Sequence, residues 1–228
     1  MSVKPRHGSD AILVIGLGRF GSAVATTLIE MGREVLAIDE DAELVQRWAA
    51  ELTYVVQADS TDEEALRQLG VDQVGRAVVA IGSDIEASVL TVLALVDVGV
   101  KEVWAKAITA KHARILRGIG AHHVVLPEVQ MGHRMAHMLV GTMDDFVEFE
   151  AGYGMARITA PAVMWGVTLG ASHVRNKWHI TVVGVKRPGE QFTYATLETV
   201  VHRDDEIIIS GTVHHLEKFA ALPKQAVE

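Results

Sequence analysis

The stretch "AILVIGLGRFGSAVATTL", Ala11 to Leu28, decides the fold. A short apolar run ends in Gly16-Leu17-Gly18-Arg19-Phe20-Gly21, the pattern G-x-G-x-x-G, and a helical pattern follows at once. In that order, strand then glycine turn then helix, the pattern is the dinucleotide-binding fingerprint. Gly16 permits the tight turn, and Gly18 lets the backbone approach a diphosphate. Gly21 lets the helix pack close to the sheet, and the amides at the helix N-terminus face the phosphates. Arg19 is the unusual member, because most dehydrogenases carry something small or apolar there. The loop therefore reads as a nucleotide site whose purpose, redox chemistry or sensing, the rest of the chain must decide.

Outward from this stretch, apolar runs alternate with helical patterns. Strands are expected at Ile12–Ile15, Glu34–Ile38, Thr53–Gln57, Ala77–Ile81, Glu102–Ala107 and His123–Leu126. Their Val- and Ile-rich, nearly continuous apolar character is that of parallel strands buried on both faces. Helices are expected at about Phe20–Glu30, Ala42–Glu51, Asp62–Leu69, Ile85–Val98 and Lys111–Ile119, the fourth opening on Ser83-Asp84-Ile85-Glu86 as a capping box. Gly32, Gly70, Gly99 and Gly120 fall near helix ends. Alternating β and α units give an α/β fold, a Rossmann-like doubly wound parallel sheet of six strands over residues 9–127.

The rhythm then changes. Glu128–Met143 is one further helical pattern, with Met131, Met135, Met138, Leu139 and Thr142 on one face, and it reads as a connector over residues 128–144. A stripe of this kind usually finds a partner, so self-association is expected. Strand-like pieces follow, "DFVEFEA", "GMARITA", "HITVVGVKR" and "DEIIISG", with short helices near Thr168–Arg175 and Thr212–Leu222. They predict a small α+β lobe over residues 145–222.

Composition narrows the function classes. The 228 residues carry a net charge of −8, which argues against a dedicated nucleic-acid binder. There is no cysteine, so disulfides, cysteine-ligated zinc and thiol catalysis are excluded. The start "MSVKPRHGSD" is polar, and no run approaches the roughly 18–20 apolar residues of a membrane span, so a cytoplasmic location is expected.

Side chains that carry chemistry gather at the expected C-terminal ends of the strands. Asp39, followed by Glu40, ends the second strand where a ribose-binding acid belongs, and its carboxylate would repel the 2′-phosphate of NADP; a helix cap is the alternative reading. Asp59, followed by Ser60, ends the third strand on the adenine side of the crevice, with a cap again the alternative. Gly82, Ser83 and Asp84 end the fourth strand at the switch point and are expected to line the pocket, with capping alone the alternative reading. Lys106 interrupts an apolar strand and needs a phosphate, a carboxylate or an exit to solvent. His133 and His137 are four apart but lack the glutamate of H-E-x-x-H, and read as a solvated helix face. Tyr54, Tyr153 and Tyr194 are followed four residues later by Ala58, Arg157 and Glu198, so the Tyr-x-x-x-Lys pair of short-chain dehydrogenases is absent. A small NAD-dependent oxidoreductase and a stand-alone NADH/NAD redox sensor are the rival readings to a nucleotide-sensing regulator.

The segments "ILVIGLGRFGSAVATTLIEMGREVLAID", "VVQADSTDEEALRQLGV", "AVVAIGSDIEASVLTVLAL" and "VWAKAITAKHARILRGIGAHHVVLPE" resemble the N-terminal half of RCK proteins, the regulators of potassium conductance, of the KtrA/TrkA type. The stretch "GVTLGASHVRNKWHITVVGVKRPGEQFTYATLETVVHRDDEIIISG" is similar to their C-terminal lobe. The resemblance implies a cytosolic regulatory subunit, not an enzyme, lying at the inner face of the membrane through a potassium-translocating partner of the Ktr or Trk type. It implies dimers assembled into an octameric ring, with the "GHRMAHMLVGTM" segment as the crossover helix. It implies ATP or ADP, alternatively NAD or NADH, at the Rossmann site, with ATP favouring the active ring. Carried onto this chain, it places Gly16, Gly18 and Gly21 at the diphosphate, Asp39 at the ribose, Asp59 at adenine and Lys106 on the phosphate side. Arg19 would reach a γ-phosphate in a neighbouring subunit's site, and Glu128 would stand near it, where Mg²⁺ or Ca²⁺ can join. Cyclic di-AMP is a ligand that the resemblance allows at the C-terminal lobe.

Overall fold

The computed structural model describes residues 10–140, 143–150 and 152–224. Thr142, expected on the connector stripe, lies outside the described residues. The chain divides into two compact units, Met1–Glu128 and Val129–Glu228.

The first unit holds a six-stranded sheet in the order β3-β2-β1-β4-β5-β6. The strands are β1 (Ile12–Ile15), β2 (Val35–Asp39), β3 (Tyr54–Gln57), β4 (Arg76–Val79), β5 (Glu102–Lys106) and β6 (His123–Val125), all paired in parallel. The helices between them are α1 (Arg19–Glu30), α2 (Ala42–Trp48), α3 (Glu63–Gln68), α4 (Ile85–Val98) and α5 (Ala110–Gly118). Because β1 leads to β2 on one side and the chain then returns to β4 on the other, the order reverses between β1 and β4, and the crevice opens there. Side chains of β1 and β2 alternate between two cores. Leu13, Ile15, Leu36 and Ile38 pack with Leu66, Val92, Leu95 and Leu116, while Val14, Val35 and Ala37 pack with Leu17, Ala25 and Leu52. Each such side chain contributes roughly 1.5–3 kcal/mol when fully buried, so these strands anchor the switch point.

The expectation of strands buried on both faces holds at β1 and β2 and fails toward the edges. Tyr54 on β3 is exposed, and Trp104 on β5 lies open on the face opposite Val103 and Ala105. Trp104 stacks on His123 and donates its indole N–H to Glu102, so polar neighbours cover it where apolar ones were expected. The capping box is also corrected. The cap of α4 is Asp84, whose carboxylate accepts from the Ala87 amide at 3.0 Å, and Ser83 stands one residue too early. The four helix-end glycines, Gly32, Gly70, Gly99 and Gly120, all adopt positive φ as expected.

Helix α6, Pro127–Leu139, is shorter than the expected Glu128–Met143 and runs across the boundary between the units. The second unit is a five-stranded antiparallel sheet, order β10-β9-β11-β8-β7, built from β7 (Asp145–Glu150), β8 (Tyr153–Thr159), β9 (Thr181–Lys186), β10 (Thr193–Tyr194) and β11 (Glu206–Thr212). The helix expected near Thr168–Arg175 is two short pieces, α7 (Leu169–Ser172) and α8 (Val174–Trp178). His173 separates them with a left-handed backbone, φ 51°, which no continuous helix can contain. Helix α9, Val213–Ala220, starts on a Thr212 cap and buries Leu216 and Phe219 with Ile158, Ile180, Ile207 and Ile209.

Candidate functional site

The glycine turn is built as its sequence requires. Gly16 has φ +92°, and an added Cβ would stand 3.3 Å from the backbone of Ala80 and Ile81. Gly21 faces inward: a Cβ there would lie 1.8 Å from the Gly16 carbonyl oxygen and 2.9 Å from the Ala80 Cβ. Gly18 is different, with open space around it and ordinary backbone angles. It is the N-cap residue of α1 and supplies no side chain to cap the first turn. The first amides of α1 are thus left for a ligand, at the helix end that favours an anion.

A cavity of about 870 Å³ opens beside this turn. It is lined by Gly16, Gly18, Arg19 and Phe20 of the turn and α1, by Asp39 and Glu40 after β2, and by Asp59 and Ser60 after β3. Gly82, Ser83 and Asp84 after β4, Lys106 at the end of β5, and Glu128 at the start of α6 complete the set. Of the fourteen residues that the sequence places at this pocket, Asp84 included, Gly21 alone is not in the lining, and its part is the close packing just described. Sequence reasoning missed Ala23, Leu44, Thr61 and Ile108, which also line the cavity. Ala23 lies one turn beyond Arg19 on the same face of α1, and its spacing was the available signal.

The carboxylates at the strand ends are held firmly. Asp39 accepts from the Leu17 amide through Oδ2, at 2.5 Å, and from the Asp41 amide through Oδ1, at 2.9 Å. It therefore ties the glycine turn to the β2–α2 turn, and the helix cap is the neighbouring Asp41, which accepts from Glu43. Asp59 accepts from the Thr61 hydroxyl at 2.7 Å and the Thr61 amide at 2.9 Å, and these bonds to the charged form hold its pKa below the usual aspartate value. The cap of α3 is Asp62, so neither strand-end aspartate is a helix cap. Ser60 turns its buried hydroxyl away to Thr91 on α4, 2.8 Å distant, and offers the cavity little beyond backbone.

Lys106 finds a carboxylate. Its Nζ lies 2.7 Å from Glu128 Oε1 and 5.6 Å from the centre of the Phe20 ring. The lysine is 12% exposed and the glutamate 65%, so the pair sits at the rim with its cation inward. Glu128 has a lowered pKa, chiefly from the hydrogen bond with Lys106, with Arg19 adding to the effect. The end of the cavity nearest Gly82 and the α1 N-terminus thus gathers Lys106 and Arg19 against one glutamate.

Other candidates part company. His137 is half-buried, with Nδ1 3.2 Å from Glu217 and its ring against Phe146, which corrects the expected solvated face; His133 is exposed as expected. Among the described residues no group of three or more His, Cys, Asp or Glu side chains is arranged to hold a metal ion. No described helix is long and apolar enough to cross a membrane. A second cavity, about 470 Å³, lies in the C-terminal unit, lined in part by His173, Arg175, Asn176 and Thr181.

Comparison with known proteins fits this division. Residues 12–127 match the TrkA-N domain and residues 155–224 the TrkA-C domain. The chain is 37% identical over 207 residues to the Ktr system potassium uptake protein C of Bacillus subtilis, which covers 90% of this chain and 94% of that protein. Among solved structures, the GsuK RCK domain superposes with a TM-score of 0.69 at 19% identity, covering 98% of this chain and half of that one, a likeness of fold. The GsuK channel bound to NAD gives the same TM-score at 18% identity, covering 98% of this chain and 41% of that one. GsuK bound to ADP superposes at 0.52, with 18% identity, over 61% of this chain and 36% of that one. The chain belongs to the family that joins a TrkA-N to a TrkA-C domain and includes the Ktr system potassium uptake proteins.

Proposed function

We propose that this chain is a nucleotide-sensing regulatory subunit of a potassium uptake system, and that it gates rather than catalyses. The observation that carries the reading is the cavity itself. It brings a glycine turn, an uncapped helix N-terminus, two strand-end aspartates and two cations into one crevice at the switch point. Adenosine diphosphate is the common denominator of that set: amides for the diphosphate, Asp39 for the ribose hydroxyls, Asp59 for the adenine amino group, Lys106 on the phosphate side. ATP and ADP are the ligands in this reading, and Arg19, exposed on the rim, is the group that meets a third phosphate. NAD and NADH share the same half, and the NAD-bound GsuK channel keeps them as the second reading.

The fit for a divalent cation is a modest one. Glu128 is a carboxylate beside both cations, so Mg²⁺ or Ca²⁺ would take it together with phosphate oxygens and water. In this reading residues 9–127 form the nucleotide lobe, 128–144 the crossover connector, and 145–222 the C-terminal lobe. Subunits pair and assemble into an octameric ring beneath a membrane-embedded Ktr or Trk partner, at the cytoplasmic face. Cyclic di-AMP is the second effector, at the C-terminal lobe. Regulation is a population shift: a nucleotide biases the ring only by its differential affinity for the two ring shapes. The test is a thermal-shift screen of the purified chain with ATP, ADP, NAD, NADH and NADP. Stabilisation by ATP and ADP, with NADP inert, is expected. A response to NADP equal to that of NAD, or none to any adenine nucleotide, sinks the reading.

A further inference from the structure

The phosphate end of the cavity holds an anion of its own. Glu128 Oε1 is 2.7 Å from Lys106 Nζ, and Lys106 is largely buried, so the lysine has no easy alternative in water. Its ammonium stands close to Gly82, where an added Cβ would lie 3.2 Å from Nζ, and faces the Phe20 ring. It is thus pinned between the switch-point strand end and the start of α1. A phosphate entering by the α1 amides meets a lysine already neutralised and, beside it, a negative carboxylate.

We infer that Glu128 is an internal competitor for Lys106, a specificity-determining residue that disfavours a bound diphosphate until the carboxylate is displaced or neutralised. The inference rests on the nucleotide reading of the cavity given above. To serve a phosphate, Lys106 must give up its charge-assisted hydrogen bond with Glu128. Exposure of the glutamate lowers that cost, so a three- to tenfold effect is expected. Adenosine carries no phosphate and escapes the penalty. Divalent cations lift it by neutralising the carboxylate, which gives one glutamate opposite effects with and without the ion.

The experiment is calorimetric titration of the full chain with adenosine and ADP in the presence of EDTA, for wild type, Glu128→Gln, Lys106→Met and the double variant. Glu128→Gln is expected to tighten ADP three- to tenfold and to leave adenosine within twofold. In the Lys106→Met background the same substitution is expected to gain less than half as much, since there is no lysine to release. ADP binding in wild type without a gain in Glu128→Gln overturns the inference alone. No ADP binding in either protein overturns it together with the nucleotide reading.

Discussion

Two carboxylates, one in each unit, meet lysines at nearly the same distance and do different work. In the C-terminal unit, Glu206 on β11 accepts from Lys186 on β9 at 3.0 Å and from Arg157 on β8 at 3.2 Å. Lys186 is directly opposite it, and Arg157 is the diagonal neighbour, so the carboxylate stitches three adjacent strands. In the N-terminal unit, Glu128 meets Lys106 at 2.7 Å across the rim of a cavity of about 870 Å³. The first arrangement is closed, with a cation from a strand on either side. The second is open, with a largely buried cation, an exposed anion and room beside them. Ion pairs that bridge neighbouring strands serve the fold, whereas a pair that borders empty volume is available to a ligand.

The largest effect tests this division at the glycine turn. Gly21 serves the fold, because a side chain there would enter the Gly16 carbonyl. Gly21→Val should cost about 3 kcal/mol or more, at the upper end of overpacking penalties, and remove nucleotide binding with the fold. Gly18 borders the cavity with nothing within 4 Å and φ −64°. Gly18→Ala should melt within about 0.5 kcal/mol of wild type, as an open surface site does, yet lose most of its ADP affinity because a methyl group now stands where the diphosphate approaches. Circular dichroism melts with and without ADP separate the two. Equal destabilisation by both substitutions breaks the distinction.

Asp39 belongs to both sides of the comparison. Its carboxylate ties the Leu17 amide to the Asp41 amide and also faces the cavity. Asp39→Ala should weaken ATP and NAD alike by about 1.5–3 kcal/mol, the scale of a hydrogen bond to a charged group, and should narrow the preference for NAD over NADP. Titration calorimetry with the three nucleotides measures it, and unchanged affinities would assign Asp39 to the turn alone. Arg19 should show a narrower effect. Backbone amides hold the phosphates that ATP and ADP share, so Arg19→Ala should spare ADP and weaken ATP by about 1.5–3 kcal/mol. Equal losses for both nucleotides would place the discrimination elsewhere.

The parallel sheet was legible because β1 and β2 are buried on both faces and their sequence says so in continuous Val, Leu and Ile. The cavity lining was legible because the residues that follow β1 to β5 meet where the strand order reverses. What escaped depends on partners distant in sequence. Nothing in "VWAKAI" chooses between a phosphate, a carboxylate or an exit to solvent for Lys106, since the carboxylate that meets it lies 22 residues on, at Glu128. Ser60, expected at the site beside Asp59, commits its hydroxyl to Thr91 on α4, a partner 31 residues away that its own neighbourhood does not announce. His173 broke an expected helix because a left-handed residue other than glycine leaves little local trace in sequence. Strand β10, two residues long, is too short for any periodicity to announce it.

The smallest effect falls on the closed carboxylate. Hydrogen bonding from Lys186, with further help from Arg157, holds the pKa of Glu206 below the usual glutamate value. A depressed folded-state pKa means that the charged form is preferred in the folded protein. Its stabilisation is therefore complete above the unfolded pKa, near 4.3, and fades as pH falls through the folded value. The three side chains are 29–41% exposed, which limits the contribution to about 0.5–1 kcal/mol. Glu206→Gln should thus lower stability by that amount at pH 7 and by nothing once the wild-type carboxyl is protonated, so the two denaturation curves converge in acid. Nucleotide affinity should be unmoved. Glu128→Gln should do the reverse, with a 65% exposed carboxylate adding little to the melting temperature and much to the competition at the cavity. If urea titrations at pH 7 and below pH 4 show Glu206→Gln displaced by the same amount at both, the carboxylate is not what joins those strands, and the contrast between a closed and an open pair loses its closed member.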